Sequence, residues 1–193
     1  MVNKKTLIVV LVEPSGPINI GSVARLCKNF SVHELRLVSP KCDYLNQEAK
    51  RMAVRGVNIL EKAIVYEDLN SALSDCSRII ATCGRKEHGD IPLNSSKDAL
   101  CWALKSKREE TIALVFGRED RGLSNEELLK ANKVISLHTS KNYPSLNLSH
   151  AVAIILHEFN QFNELDLLKP NKSIGYPANL IKLEDCIDDA GSL

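Results

Sequence analysis

The sequence lacks a CxxC pair, an internal repeat, a low-complexity segment and any sizeable charge imbalance. Formal net charge is +1 over 193 residues, so no whole-protein field advertises a polyanionic partner. The basic residues are clustered all the same, as Lys50, Arg51 and Arg55, Arg85 and Lys86, Lys105, Lys107 and Arg108, and Arg118 and Arg121. A neutral total therefore leaves room for a local basic face. The six cysteines have no regular spacing, and although an even count suits a disulfide set, a chain of this size needs no covalent staples. Reduced, mostly buried thiols are expected. The longest apolar run near the start, Leu7 to Val12, is far too short to span a bilayer, and no signal-peptide cleavage pattern follows it. The expectation is a soluble, cytoplasmic protein with no membrane partner.

What is present is an alternation of buried strands and amphipathic helices. Thr6 to Val12 (TLIVVLV) reads as a strand covered on both faces, as in parallel sheets. Val23, Leu26, Cys27 and Phe30 then fall at helical spacing. Strands are predicted at Glu34 to Val38, Arg78 to Thr82, Ile112 to Phe116 and Lys133 to Leu137. Helices are predicted at Asn46 to Val54, Leu69 to Leu73, Lys97 to Lys105, Glu126 to Ala131 and Leu148 to Phe162, while Ile59 to Val65 fits either state. This pattern is α/β with a mostly parallel sheet flanked by helices. Residues 1–164 form the predicted domain. Residues 165–193 read as a linker (KPNKSIGYP, Lys169 to Pro177) and a short helix whose apolar stripe is Leu180, Leu183 and Ile187.

Three loops could carry chemistry. The first lies in VLVEPSGPINIGSVAR, where Gly16 and Gly21 have GxxxxG spacing. A triphosphate loop needs Lys and then Ser or Thr after the second glycine, and here Ser22 and Val23 follow instead. GxGxxG is also absent. Asn19 belongs near the helix start, as Asn often does. Arg25 lies at i, i+3 and i+7 with Ser22 and Asn29 on a polar strip beside the core face, where long arginines usually only snorkel. The second loop, GREDRGLSNEE (Gly117 to Glu127), follows a buried strand, and ligands in open α/β sheets gather at the carboxyl ends of strands. Ser124 and Glu127 make a capping box, which accounts for SNEE but not for Gly117, Arg118, Glu119, Arg121 and Gly122. The third, NYPSLNLSHA (Asn142 to Ala151), can cap the last helix with Ser145 or Asn147 and has polar residues to spare. His150 and His157 lack the HExxH context, so no metal is expected. Cys83 reads as a small buried thiol rather than a nucleophile.

NIGSVAR (Asn19 to Arg25), LVFGREDRGLSNEEL (Leu114 to Leu128) and SLNLSHAVAIILHE (Ser145 to Glu158) together resemble the SpoU (TrmH-like) RNA ribose methyltransferases of the SPOUT superfamily. Within it, the opening LVEP and the run VFGRE…GLSNEEL look closest to the TrmJ-like tRNA methyltransferases. The resemblance spans about Leu7 to Phe162. It implies that the C-terminal part of the sheet forms a deep trefoil knot, a rare exception to unknotted chains. It also implies a homodimer in which each active site is completed by its neighbour, with tRNA as substrate and S-adenosylmethionine as methyl donor. The donor is expected against Thr82, Cys83 and Gly84, against Gly117, and against Leu137, Pro144, Ser145 and Leu146. Glycines at 84 and 117 suit a main-chain cradle, which tolerates no intruding side chain. Ser31 stands where relatives commonly carry Gly, and Pro144 replaces a small polar residue.

The implied reaction moves a methyl group to a ribose 2′-hydroxyl, at the cytidine or uridine that begins the anticodon loop. A relative acting on the wobble ribose or on ribosomal RNA would keep the same motifs, and a noncatalytic RNA-binding knot protein is a further alternative. A flavodoxin-like module would leave the third motif unexplained. The resemblance assigns Arg25 to the proton step. A guanidinium with a pKa above roughly 12 has no lone pair to accept a proton. Arg25 is better placed as an electrostatic clamp on the nucleotide's phosphate and on the developing alkoxide, with phosphate oxygen or water taking the proton. Ser145 and Asn147 are expected to orient the ribose and its loop, Asn19 to hold the first loop to the third, and Glu119 to brace loops rather than act as a base.

Overall fold

A computed structural model describes residues 5–85, 89–105, 110–137, 139–140, 142–143 and 145–165. Its seven strands are β1 (Thr6–Val12), β2 (Glu34–Val38), β3 (Ile64–Tyr66), β4 (Arg78–Thr82), β5 (Leu93–Asn94), β6 (Thr111–Phe116) and β7 (Lys133–Ile135). They form one sheet in the order β3-β2-β1-β6-β4-β7-β5, and every pairing is parallel. The helices are α1 (Pro17–Asn29), α2 (Gln47–Ala53), α3 (Val57–Glu61), α4 (Leu69–Leu73), α5 (Ser96–Leu104), α6 (Asn125–Leu128) and α7 (Leu148–Leu165).

The sheet is covered on both faces, which is why its central strands are apolar without interruption. Successive residues of β1 point to opposite sides. Leu7, Val9 and Leu11 join a core with residues of α1, α2, α5 and α7, whereas Ile8, Val10 and Val12 join a smaller core with α4 and Leu128 of α6. Each fully buried aliphatic side chain contributes about 1.5–3 kcal/mol, so β1 anchors both layers.

The structure sharpens several expectations. β1, β2, α4 and β4 have the predicted ranges. Helix α1 starts ahead of the periodic stretch, with Gly16 as N-cap and Pro17 in its first turn, where a fixed φ and a missing N–H cost nothing. Gly21, read from sequence as part of a turn, is inside α1. A Cβ there would sit 2.2 Å from the carbonyl oxygen of Ala49, so this glycine serves the close approach of α2. The ambiguous segment from Ile59 divides into the end of α3 and the start of edge strand β3. Helix α6 and strand β7 end before the predicted Ala131 and Leu137, and the two-residue β5 went unpredicted because it is too short to carry a period. Ser31 has φ +53°, just after the end of α1. That is the left-handed conformation that glycine adopts without penalty.

Among the described residues five cysteines are free, Cys27 and Cys83 buried and Cys42, Cys76 and Cys101 half-buried. No described helix is long and apolar enough to cross a membrane. The predicted linker and the stripe Leu180, Leu183 and Ile187 lie outside the described residues.

Candidate active site

The loops that leave the carboxyl ends of β4, β6 and β7 enclose a cavity of about 390 Å³ together with the start of α7. Its wall includes Thr82, Cys83, Gly84, Gly117, Leu137, Ser145 and Leu146. Pro144, the remaining residue expected at the donor, lies outside the described residues. Parallel pairing puts all these strand ends on one side, so residues more than sixty positions apart reach a single hollow. The wall is tied from behind. The Thr82 hydroxyl donates to the Val115 carbonyl at 3.2 Å, and the Cys83 amide donates to the Ile135 carbonyl at 2.8 Å.

The two cradle glycines differ in their reasons. A Cβ on Gly117 would come within 2.2 Å of the Gly122 carbonyl carbon, because the loop closes on itself through an Arg118–Gly122 bridge. Gly117 is therefore demanded by its own loop. A Cβ on Gly84 would meet no atom within 4 Å, so nothing in the described residues forces glycine there, and the main chain stands bare at the cavity.

Glu119 joins the second loop to the first. Its Oε2 accepts from the Ser15 amide at 3.1 Å and the Ser15 hydroxyl at 3.0 Å. Its Oε1 accepts from the Gly16 amide and from Asn19 Nδ2, both at 3.0 Å. Asn19 Oδ1 in turn accepts from Asn147 Nδ2 at 2.9 Å, which brings in the third loop. Asn147 Oδ1 caps α7 by accepting from the Ser149 amide at 2.9 Å and the Ser149 hydroxyl at 2.7 Å. One carboxylate and two amides thus hold together the three segments singled out in the sequence. Burial works to raise the Glu119 pKa, but hydrogen bonds from Asn19 and from the Ser15 and Gly16 amides outweigh it and keep the carboxyl below its ordinary value. Both oxygens of this carboxylate are committed to joining the first and second loops. Asn147 has its carbonyl and one amide hydrogen committed to the same task, and Ser145 is the exposed hydroxyl left at the wall.

A second brace escaped the sequence reading. Glu13, at the end of β1 with φ +48°, accepts from Arg121 Nη2 at 2.9 Å and lies 3.1 Å from Lys41 Nζ. Arg118 Nη1 is 3.5 Å away. The Arg121 hydrogen bond, helped by Lys41 and Arg118, lowers the Glu13 pKa to about 2. An acidic residue that directly follows a fully apolar strand and precedes proline is the signal that could have found it. The capping box is present as expected, with Ser124 Oγ accepting from the Glu127 amide and the Glu127 carboxylate accepting from the Ser124 amide.

Arg25 is not part of the cavity wall of its own chain. It is exposed, and its backbone lies against the turn at Gly56, where a Cβ would approach its Cα to 2.8 Å. Ser22, on the same strip, donates to the Ile18 carbonyl at 2.8 Å. His150 and His157 are exposed, and no cluster among the described residues could hold a metal ion.

Residues 6–157 match the family model described as the SpoU rRNA Methylase family. A tRNA (cytidine-2'-O-)-methyltransferase TrmJ from Methanocaldococcus jannaschii is 39% identical over 175 residues, covering 85% of this chain and 74% of the relative. The protein of the same name from Sulfolobus acidocaldarius is 37% identical over 156 residues, covering 79% of this chain and 64% of the relative. This chain thus spans between 64% and 74% of the length of these two. The structure of a probable methylase family protein from Haemophilus influenzae superposes with a TM-score of 0.76 at 32% identity, covering 96% of this chain and 77% of that one.

Proposed function

This chain belongs to the SpoU methylase family, and from that premise we propose that it is a S-adenosylmethionine-dependent tRNA 2′-O-methyltransferase. The proposed target is the ribose of the cytidine or uridine that begins the anticodon loop. One observation carries the reading: the Glu119–Asn19–Asn147 chain ties the first loop to the second and third, whose residues line the cavity. The names of the archaeal relatives support tRNA over ribosomal RNA as substrate.

The cavity fits the donor. Its volume of about 390 Å³ falls within the range of small-molecule sites, and bare main chain at Gly84 lets a ligand approach closely. Thr82, Cys83, Gly84, Gly117, Leu137, Pro144, Ser145 and Leu146 would hold it. When bound, S-adenosylmethionine supplies a methyl group made electrophilic by the sulfonium. The protein's task is then alignment and removal of the hydroxyl proton. Ser145 orients the ribose at the wall. Glu119, Asn19 and Asn147 fix the loops that position it. Arg25 binds the nucleotide's phosphate and stabilises the developing alkoxide, while a phosphate oxygen or water accepts the proton. Because Arg25 is absent from its own chain's wall, it reaches the site from a second copy in a homodimer. The family supports a trefoil knot in the C-terminal part of the sheet, where β7 lies between β4 and β5. No metal is required, and the protein works in the cytoplasm, where tRNA is available.

Labelled methyl transfer to tRNA transcripts tests the reading. The label should be lost when the target nucleotide is 2′-deoxy and should survive EDTA. Arg25→Ala should lower transfer by about 100–1,000-fold while leaving donor affinity within about twofold. Mixed dimers of Arg25→Ala and Ser145→Ala chains should regain activity that neither homodimer has. Near-normal turnover by Arg25→Ala would remove it from the site, and an absence of rescue would place it in its own chain's site.

A further inference from the structure

Five charged side chains line the cavity, and three of them are neutralised by the protein itself. Arg118 pairs with Asp120 through Nε at 2.8 Å and Nη2 at 2.5 Å. Arg121 pairs with Glu13 at 2.9 Å and with Glu127 at 3.4 Å. Two charges are left over among the described residues. Glu119 is satisfied by neutral N–H and O–H donors only, so its negative charge has no cationic partner. Arg85 makes one hydrogen bond, from Nη2 to the neutral Asn125 Oδ1 at 2.7 Å, and its Nε is buried without an acceptor. Its carbonyl is occupied by the Cys83 thiol at 3.8 Å, and its stem passes 3.9 Å from where a Cβ on Gly122 would lie.

A buried guanidinium N–H without an acceptor calls for an explanation, and a wall carrying one free negative and one free positive charge is dipolar. The proposed donor is complementary to such a wall. Its amino-acid tail is a zwitterion beside a positive sulfonium, so an uncompensated arginine would repel it unless the carboxylate faced that arginine. We propose that Arg85 is the carboxylate clamp for the methionine tail of the methyl donor, with Glu119 on the side of its positive charges. Asn125 holds one edge of the fork, and a small swing of the guanidinium toward the carboxylate gives its unpaired N–H groups an acceptor in the bidentate geometry that arginine favours. An RNA phosphodiester is the other oxyanion that could meet Arg85. It is flanked by two sugars, which makes it the poorer fit to a hollow of about 390 Å³. This inference rests on the proposed use of S-adenosylmethionine.

The test is calorimetric binding of S-adenosylmethionine and of its decarboxylated analogue to the full chain, as wild type, Arg85→Met and Arg85→Lys. Loss of a charge-assisted hydrogen-bonded pair should weaken S-adenosylmethionine binding by about 10–100-fold in Arg85→Met, with partial recovery in Arg85→Lys. Binding of the decarboxylated analogue should change by less than about threefold, since it offers nothing to clamp. Equal losses for both ligands, or no loss for either, overturn the proposal, and so does an Arg85→Met variant that keeps donor affinity but raises the KM for tRNA. A wild-type chain that binds neither ligand overturns the proposed function as well.

Discussion

The molecule holds two charged side chains in place by opposite means. On β2, Arg36 is almost fully buried and every arm of its guanidinium is occupied. Nη1 and Nη2 meet Asp75 at 2.6 and 2.8 Å, Nη1 also donates to the Ala72 carbonyl at 2.6 Å, and Nε pairs with Glu34. The Tyr66 ring lies 5.5 Å away. At the cavity, Glu119 is held just as fully, but by amides and a hydroxyl. The first arrangement cancels charge and leaves little field. The second fixes the position of a carboxylate and keeps its charge available to whatever enters. Salt-bridged networks of the first kind stabilise, whereas neutral cradles of the second kind prepare a site for charge that has yet to arrive.

The comparison breaks most visibly if Glu119 is removed. Glu119→Ala strands four donors and lets the first loop drift from the second, and misplacement by about 1 Å costs on the order of 100-fold in turnover. Steady-state methylation, with the melting temperature as control, should show a loss of activity larger than the loss of stability. A variant with normal kcat would make the brace ornamental. Asp75→Ala should behave in the opposite way. It leaves Arg36 buried with only Glu34 as anionic partner, at a cost of roughly 2 kcal/mol. This is less than for a fully buried pair, because the Asp75 side chain is 59% exposed. Denaturant unfolding should register that cost while donor binding stays unchanged.

The same pair has a pH signature. The hydrogen bond from Arg36 holds the Asp75 pKa at about 2, below its ordinary value. A depressed carboxylate stabilises the fold above its unfolded pKa, and that contribution is lost as pH falls toward the folded value. Between about pH 4 and pH 2, wild type should lose stability faster than Asp75→Asn, and parallel acid limbs would refute the linkage. The smallest effect concerns neither network. Ser31→Gly places glycine where φ is +53° and should raise stability by about 0.5–1 kcal/mol, measured by the same unfolding curves.

Legibility in the sequence followed period and punctuation. Uninterrupted apolar runs marked β1, β4 and β6, because strands covered on both faces leave no polar alternation. Ser124 and Glu127 marked the start of α6, because a capping box is a local device. Where a residue answers to a distant one, the signal vanished. Gly21 looked like a turn residue, and only the Ala49 carbonyl 2.2 Å from its would-be Cβ explains it. Glu13 drew no notice, since its partners Lys41, Arg118 and Arg121 arrive from separate loops. Arg85 was just one member of a basic pair until its neighbours in the cavity proved to be neutralised.

The sequence by itself determined the α/β class, the alternation of elements and the three segments from which a site could be assembled, because hydrophobic period, caps and motif spacing are local properties of the chain. Only the tertiary structure decided which residues share the cavity, that Glu119 and Asn147 meet through Asn19, and that Arg25 lies outside the wall of its own chain. Those facts depend on parallel pairing, which carries distant strand ends to one edge of the sheet, and on which charges find a partner there.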